Sequence, residues 1–154
     1  MSAEGKSRAL ADLDAAHSEF QQAVGGIPEA KLTVPMHGEW TAKDLIAHVS
    51  SWEEMGALDL QRVTRGHVPL LASFREADVD QWNAFLMRGR RIFPPAQVLG
   101  ELNSSHEMLL AAMSSVPEAM FQPGQMVANF LAIATHHYRD HAGHIHEWRG
   151  REGV

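Results

Sequence analysis

Clusters of glycine and proline divide the chain into four long stretches in which apolar residues recur three and four positions apart. The breaks fall at Gly25-Gly26-Ile27-Pro28, Pro94-Pro95, Pro117 and Pro123-Gly124. Glycine permits the left-handed helix cap and proline cannot continue the hydrogen-bond ladder, so each cluster marks a helix end or start. Strand-like alternation is nearly absent. The pattern predicts an all-α chain: a single domain over residues 1–154, built as a bundle of four main helices with a long connection between the second and third.

The first helix is expected from Ser7 to Val24, with Leu10, Leu13, Phe20 and Val24 on one face and His17 beside it. Residues 31–40 form a loop marked by Pro35 and Gly38. Thr41-Ala42-Lys43-Asp44 follows, an N-cap with a carboxylate at N3, and Trp40 and Leu45 stand at the positions of a hydrophobic staple. The second helix runs to about Arg65, with Leu45, His48, Val49, Trp52 and Met55 on one face. Residues 66–93 are too long for a simple helix hairpin, so the helices they join need not be antiparallel neighbours, and a short helix is expected over residues 78–91. The third helix starts at Pro94-Pro95 and ends near Ser115, with Val98, Leu99, Leu102, Leu109, Leu110 and Met113 apolar. The fourth runs from Gln125 or Met126 to Trp148, with Gly150 as its C′ residue and close backbone packing expected at Gly143.

That fourth helix carries the chemistry. Five of the ten histidines lie between Ala134 and Trp148. Phe130, Ala134, His137, His141, His144 and Trp148 follow the rhythm of a core-facing stripe. His137 and His141 are one turn apart and about 40° apart around the axis, so their rings can converge on one point. Two helical histidines at i and i+4 form half of a common metal site. His48, which interrupts the core face of the second helix, is the candidate third ligand. His144 lies one turn beyond His141 and could serve as a fourth ligand or as pocket lining.

Other assignments stay open on spacing alone. Imidazoles on an apolar face also suit hydrogen-bonded core residues, and His17 and His106 lie near their own stripes. His136 and His146 are expected in solvent, and His37 and His67 in loops. Glu53 and Glu54 are read as solvated helix-face charges, with a role as general base or as partner of a metal ligand as the alternative. Trp52 and Trp148 are read as core residues that could line a pocket beside a metal. A zinc-protease helix would need a Glu where Tyr138 stands, which excludes that class. No glycine-rich phosphate loop follows a strand, and no serine sits in a nucleophile elbow.

Composition narrows the partners. A net charge of −6 argues against broad nucleic-acid binding, which depends on basic surface. No apolar run approaches the roughly 20 residues of a membrane span. The segment Met1–Arg8 lacks the layout of a secretory signal, so the cytoplasm is the expected location. With no cysteine, disulfides and thiolate ligands are excluded, and any metal must be held by histidine, carboxylate and water.

Two segments carry a family resemblance. Glu39-Trp40-Thr41-Ala42-Lys43-Asp44-Leu45-Ile46-Ala47-His48-Val49-Ser50-Ser51-Trp52-Glu53 resembles the second-helix signature of the DinB/YfiT-like superfamily. His137-Tyr138-Arg139-Asp140-His141-Ala142-Gly143-His144-Ile145 resembles its fourth-helix His-x-x-x-His pattern. Asp78-Val79-Asp80-Gln81-Trp82-Asn83-Ala84 and Pro95-Ala96-Gln97-Val98-Leu99 are similar to the segments between. The group includes bacillithiol transferases, the N-terminal domain of mycothiol-dependent maleylpyruvate isomerase and ClbS-like proteins. The resemblance implies a four-helix bundle with a long crossover between helices two and three, frequent homodimers, and a divalent metal, commonly zinc or nickel, on His48, His137 and His141. Many relatives carry Gln where this chain has His144, a departure that alters the pocket. The function implied is a metal-dependent S-transferase or detoxifying enzyme that acts on a small electrophile. A low-molecular-weight thiol would be cosubstrate, and a metal-bound thiol or water the nucleophile. The alternative is a non-catalytic bundle that binds a metal or small molecule.

Overall fold

The computed structural model describes residues 4–154, without the side chain of Glu4. Met1–Ala3, the start of the segment read above for a secretory signal, lie outside the described residues. Among these residues the chain is mostly helical: α1 (Glu4–Val24), α2 (Glu29–Leu32), α3 (Ala42–Thr64), α4 (Glu76–Arg90), α5 (Pro95–Ser114) and α6 (Met126–Glu152). Short 3-10 turns at Leu70–Ser73 and Glu118–Phe121 interrupt the connections. No helix among the described residues is long and apolar enough to cross a membrane.

The chain divides into two compact units. One joins residues 1–31 to residues 117–154, and the other spans residues 32–116. In the first, α1 packs against α6, and the Glu118–Phe121 turn packs on both. Leu13, Ala16, Phe20 and Ala23 of α1 are fully buried, as are Ile145 and, nearly so, Trp148 of α6. Each such Leu, Ile or Phe contributes about 1.5–3 kcal/mol by leaving water. Arg149 closes the unit at one end, donating from Nη1 to the carbonyls of Ala23 and Gly25 at 2.9 and 2.6 Å, the C-terminal end of α1. Lys31 reaches Glu152 at 2.9 Å.

In the second unit, α3 packs against both α5 and α4. Thr41 is the N-cap of α3: its hydroxyl accepts from Asp44 N–H at 3.1 Å, and the Asp44 carboxylate accepts from Thr41 N–H at 3.0 Å. The shortened capping box therefore forms as its residues predict. Lys43 Nζ donates to the carbonyls of Arg91 and Phe93, tying the α4–α5 junction to the start of α3. Pro95 opens α5 at its first turn.

Three expectations are corrected. Residues 31–40 are not a plain loop: α2 ends at Leu32, and Pro35–His37 pairs antiparallel with Trp40–Thr41 around Gly38, whose φ of 58° suits only a residue without Cβ. The last helix passes through Gly150 and stops at Gly153, which takes the left-handed conformation at φ 69°. The reason is that Arg149 accepts Gly153 N–H and Val154 N–H on its carbonyl while its Nε donates to Val154 O, an end that draws on residues beyond Gly150. At Gly143 no backbone approaches: a Cβ there would meet nothing within 4 Å, because the residue faces solvent.

Candidate metal centre

On α6 the buried stripe is Val127, Leu131, Thr135, Tyr138, Ala142, Ile145 and Trp148. The expected stripe of Phe130, Ala134, His137, His141, His144 and Trp148 meets it at Trp148, while the other members lie one position away, rotated by about 100°. Its members from Phe130 to His141 are half-buried, and His144 is exposed. The physical reason is bulk: Tyr138 and Ile145 remove more apolar surface from water than the imidazoles of His137 and His144 can. His137 and His141 thus border the core, where an imidazole keeps some access to water.

Their rings do converge. His137 Nε2 and His141 Nε2 are 2.8 Å apart, with ring centroids at 4.2 Å and planes at 70°. Without an ion this is an ordinary N–H···N hydrogen bond in which one ring donates. Two nitrogens on one tetrahedral ion, each at about 2.0–2.1 Å, stand about 3.3 Å apart, so a small rotamer adjustment converts the pair into a chelate. The donors fit a borderline divalent ion such as zinc or nickel: nitrogen and oxygen, with no thiolate in the chain. Beside them, His17 of α1 meets the Tyr138 ring edge-on at 5.3 Å, and both are buried. His136 and His146 are exposed, as expected.

His144 faces the other side of the His141 ring. Its Nδ1 lies 3.4 Å from His141 Nδ1 and 3.9 Å from the Asp140 carboxylate. Asp140, His141 and His144 bring three ligand atoms within 4.8 Å of one another. Since His141 meets His137 through Nε2 and His144 through Nδ1, His144 addresses the nitrogen opposite the paired one. Trp148 is 1% exposed and serves the core of its unit.

In the other unit His48 is 5% exposed on α3. Trp40 meets its ring edge-on at 5.5 Å and Trp52 at 6.3 Å, so two indoles fix the plane of the imidazole. Trp52 is half-buried and donates from Nε1 to Asn83 Oδ1 at 2.8 Å, which ties α4 to this face of α3.

Glu53 overturns its expected place in solvent. It is 3% exposed, accepts a short hydrogen bond from Ser105 Oγ, and stands 3.4 Å from His106 Nδ1, with Ser105 and His106 equally buried on α5. A carboxylate leaves water only where donors replace the lost solvation, and the α3–α5 interface supplies them. Helical spacing already held the signal: Glu53 continues the stripe of Ile46, Val49, Ala57 and Leu60, as His106 continues that of Leu102 and Leu109. Glu54 points elsewhere, to Arg90, which also pairs with Glu101 at 3.1 Å.

No curated protein and no solved structure matches the chain. The family model described as the DinB superfamily matches residues 12–145, from within α1 to Ile145 of α6, and on that extent the chain belongs to the DinB superfamily.

Proposed function

We propose that the chain is a divalent-metal-dependent enzyme, an S-transferase or detoxifying enzyme that acts on a small electrophile. The ion, zinc or nickel, is held by His48, His137 and His141. The observation that carries this reading is the His137–His141 pair, two Nε2 atoms 2.8 Å apart one turn apart on a helix of a DinB-superfamily chain. The third ligand rests on the helical periodicity of α3 and on the motif around His48. In this reading α1, α3, α5 and α6 are the four helices of one bundle, residues 65–94 are its long crossover, and the protein is a homodimer.

An ion held by His48, His137 and His141 would act as a Lewis acid, lowering the pKa of a water or thiol or polarising an oxygen. The chain's own groups set the geometry. Trp40 and Trp52 hold the His48 ring edge-on, which limits where its nitrogens point. Tyr138 and His17 pack behind the α6 histidines and keep their helix face fixed. The half-buried Trp52 offers an apolar wall for a small substrate. Glu53, Ser105 and His106 satisfy one another inside the α3–α5 interface and are assigned to stability.

The test is metal content by mass spectrometry of tag-free protein, beside His48→Ala and His141→Ala. A divalent ion in the parent, lost in both variants, is the expected result. A panel of cellular thiols and electrophiles then separates enzyme from binder: an occupied protein that neither binds nor consumes any thiol is the non-catalytic metal-binding bundle. No metal after incubation with zinc or nickel would return the histidines to core hydrogen bonding.

A further inference from the structure

We propose that Asp140, His141 and His144 form a second divalent-cation position on the solvent-facing side of α6, an alternative to the His137–His141 position because both draw on His141. The three side chains offer two imidazole nitrogens and a carboxylate oxygen, a donor set that catalytic zinc sites also use. His141 Nδ1 and His144 Nδ1 are 3.4 Å apart, and His144 Nδ1 is 3.9 Å from Asp140 Oδ2. These separations exceed the roughly 2.7–3.2 Å of a good N–H···O or N–H···N bond. The 3.4 Å between the two imidazole nitrogens matches the about 3.3 Å between two ligands of one tetrahedral ion, and the exposed Asp140 carboxylate would close the remaining 0.5 Å or so by a rotamer change.

Charge and access agree with this. The His144 and Asp140 side chains are 52% and 49% exposed, so water can complete the coordination. The neighbouring cation, Arg139, is turned to α1, where it pairs with Asp12 at 2.8 Å and Glu19 at 3.2 Å. Its charge is thereby spent on α1, and the Asp140 carboxylate is left to the histidine side.

The shared ring sets the relation between the two positions. A neutral imidazole has one lone pair and one N–H. When His141 binds an ion through Nδ1, its Nε2 keeps the proton and donates to His137 Nε2, and the observed 2.8 Å is an ordinary length for that bond. When His141 binds through Nε2 beside His137, Nδ1 carries the proton and the outer position loses a ligand. One neutral ring therefore serves one position at a time. The outer position does not depend on the three-histidine reading.

The experiment is calorimetric titration of Ni²⁺ into the tag-free chain and into His137→Ala, His48→Ala, His144→Ala and the double variant His137→Ala/His144→Ala, with helicity checked by circular dichroism. His137→Ala is expected to keep Ni²⁺ binding through the outer group. Adding His144→Ala, or Asp140→Asn, should weaken it by at least about tenfold, the size of loss seen even for partners outside the coordination shell. The outer position is overturned if His137→Ala binds no Ni²⁺, or if the double variant binds as tightly as His137→Ala. Binding in the parent that is lost in His48→Ala and His137→Ala upholds the three-histidine site and removes the outer one. Equal binding in the parent, His48→Ala and His137→Ala removes the three-histidine site and upholds the outer one, provided that the double variant weakens.

Discussion

At the scale of single residues, polar groups on apolar stripes follow two different rules here. Glu53 lies deep and is satisfied by Ser105 and His106, whereas His137 and His141 stay at the edge of the buried face of α6. A buried carboxylate must keep its donors, so Glu53→Ala is expected to cost about 2–3 kcal/mol in urea denaturation, with Glu53→Gln milder because it still accepts from Ser105. Equal stability of Glu53→Ala and the parent would show that the cluster contributes nothing. The histidine pair was legible because i, i+4 spacing fixes which side chains can meet. The depth of its face was not, since two overlapping stripes one residue apart both have helical period and share Trp148, and only packing against α1 selects Tyr138 and Ile145.

At the scale of elements, local chemistry explains most boundaries. The capping box of Thr41 and Asp44 and the Pro95 start of α5 follow from a few neighbouring residues. The connection after α3 is different, because its anchor comes from inside the helix. The Asp59 carboxylate, 6% exposed, accepts from Leu70 N–H at 2.7 Å, Leu71 N–H at 2.8 Å and Arg62 Nη1 at 2.7 Å. Asp59→Ala should therefore cost about 2 kcal/mol and speed limited proteolysis within residues 66–75; an unchanged cleavage rate would contradict the anchor. At the start of α4, the Arg75 guanidinium and then the Arg75 backbone N–H hold the Asp78 carboxyl below its ordinary 3.8. A carboxyl lowered in the folded state stabilises above its unfolded value and loses that contribution as pH falls through its folded value. Asp78→Asn should accordingly lower the thermal midpoint slightly at neutral pH, and the difference should vanish only well below pH 3.8. A difference that persists at the lowest pH would assign the effect to something other than the charge. Arg75 is exposed and Asp78 only half-buried, so the effect is small and falls with salt.

At the scale of the whole molecule, each unit has its own apolar interior, with Leu13 buried between α1 and α6 and Leu109 in the α3–α5 unit. Leu13→Ala and Leu109→Ala should each cost about 2–5 kcal/mol by leaving a cavity. For the single domain we propose, both variants shift one common calorimetric transition, whereas two separable transitions, each sensitive to one variant, would divide the chain into independent domains. Helical content, the glycine and proline breaks, the α3 cap and the pairing of His137 with His141 depend on residues within a few positions of one another, and the sequence alone determined them. The donors that let Glu53 leave water, the face that α6 turns to its core and the Asp59 anchor were decided only by the tertiary structure. Each of these depends on a partner far along the chain, which supplies either a hydrogen bond to a group that has left water or more apolar area than the competing face.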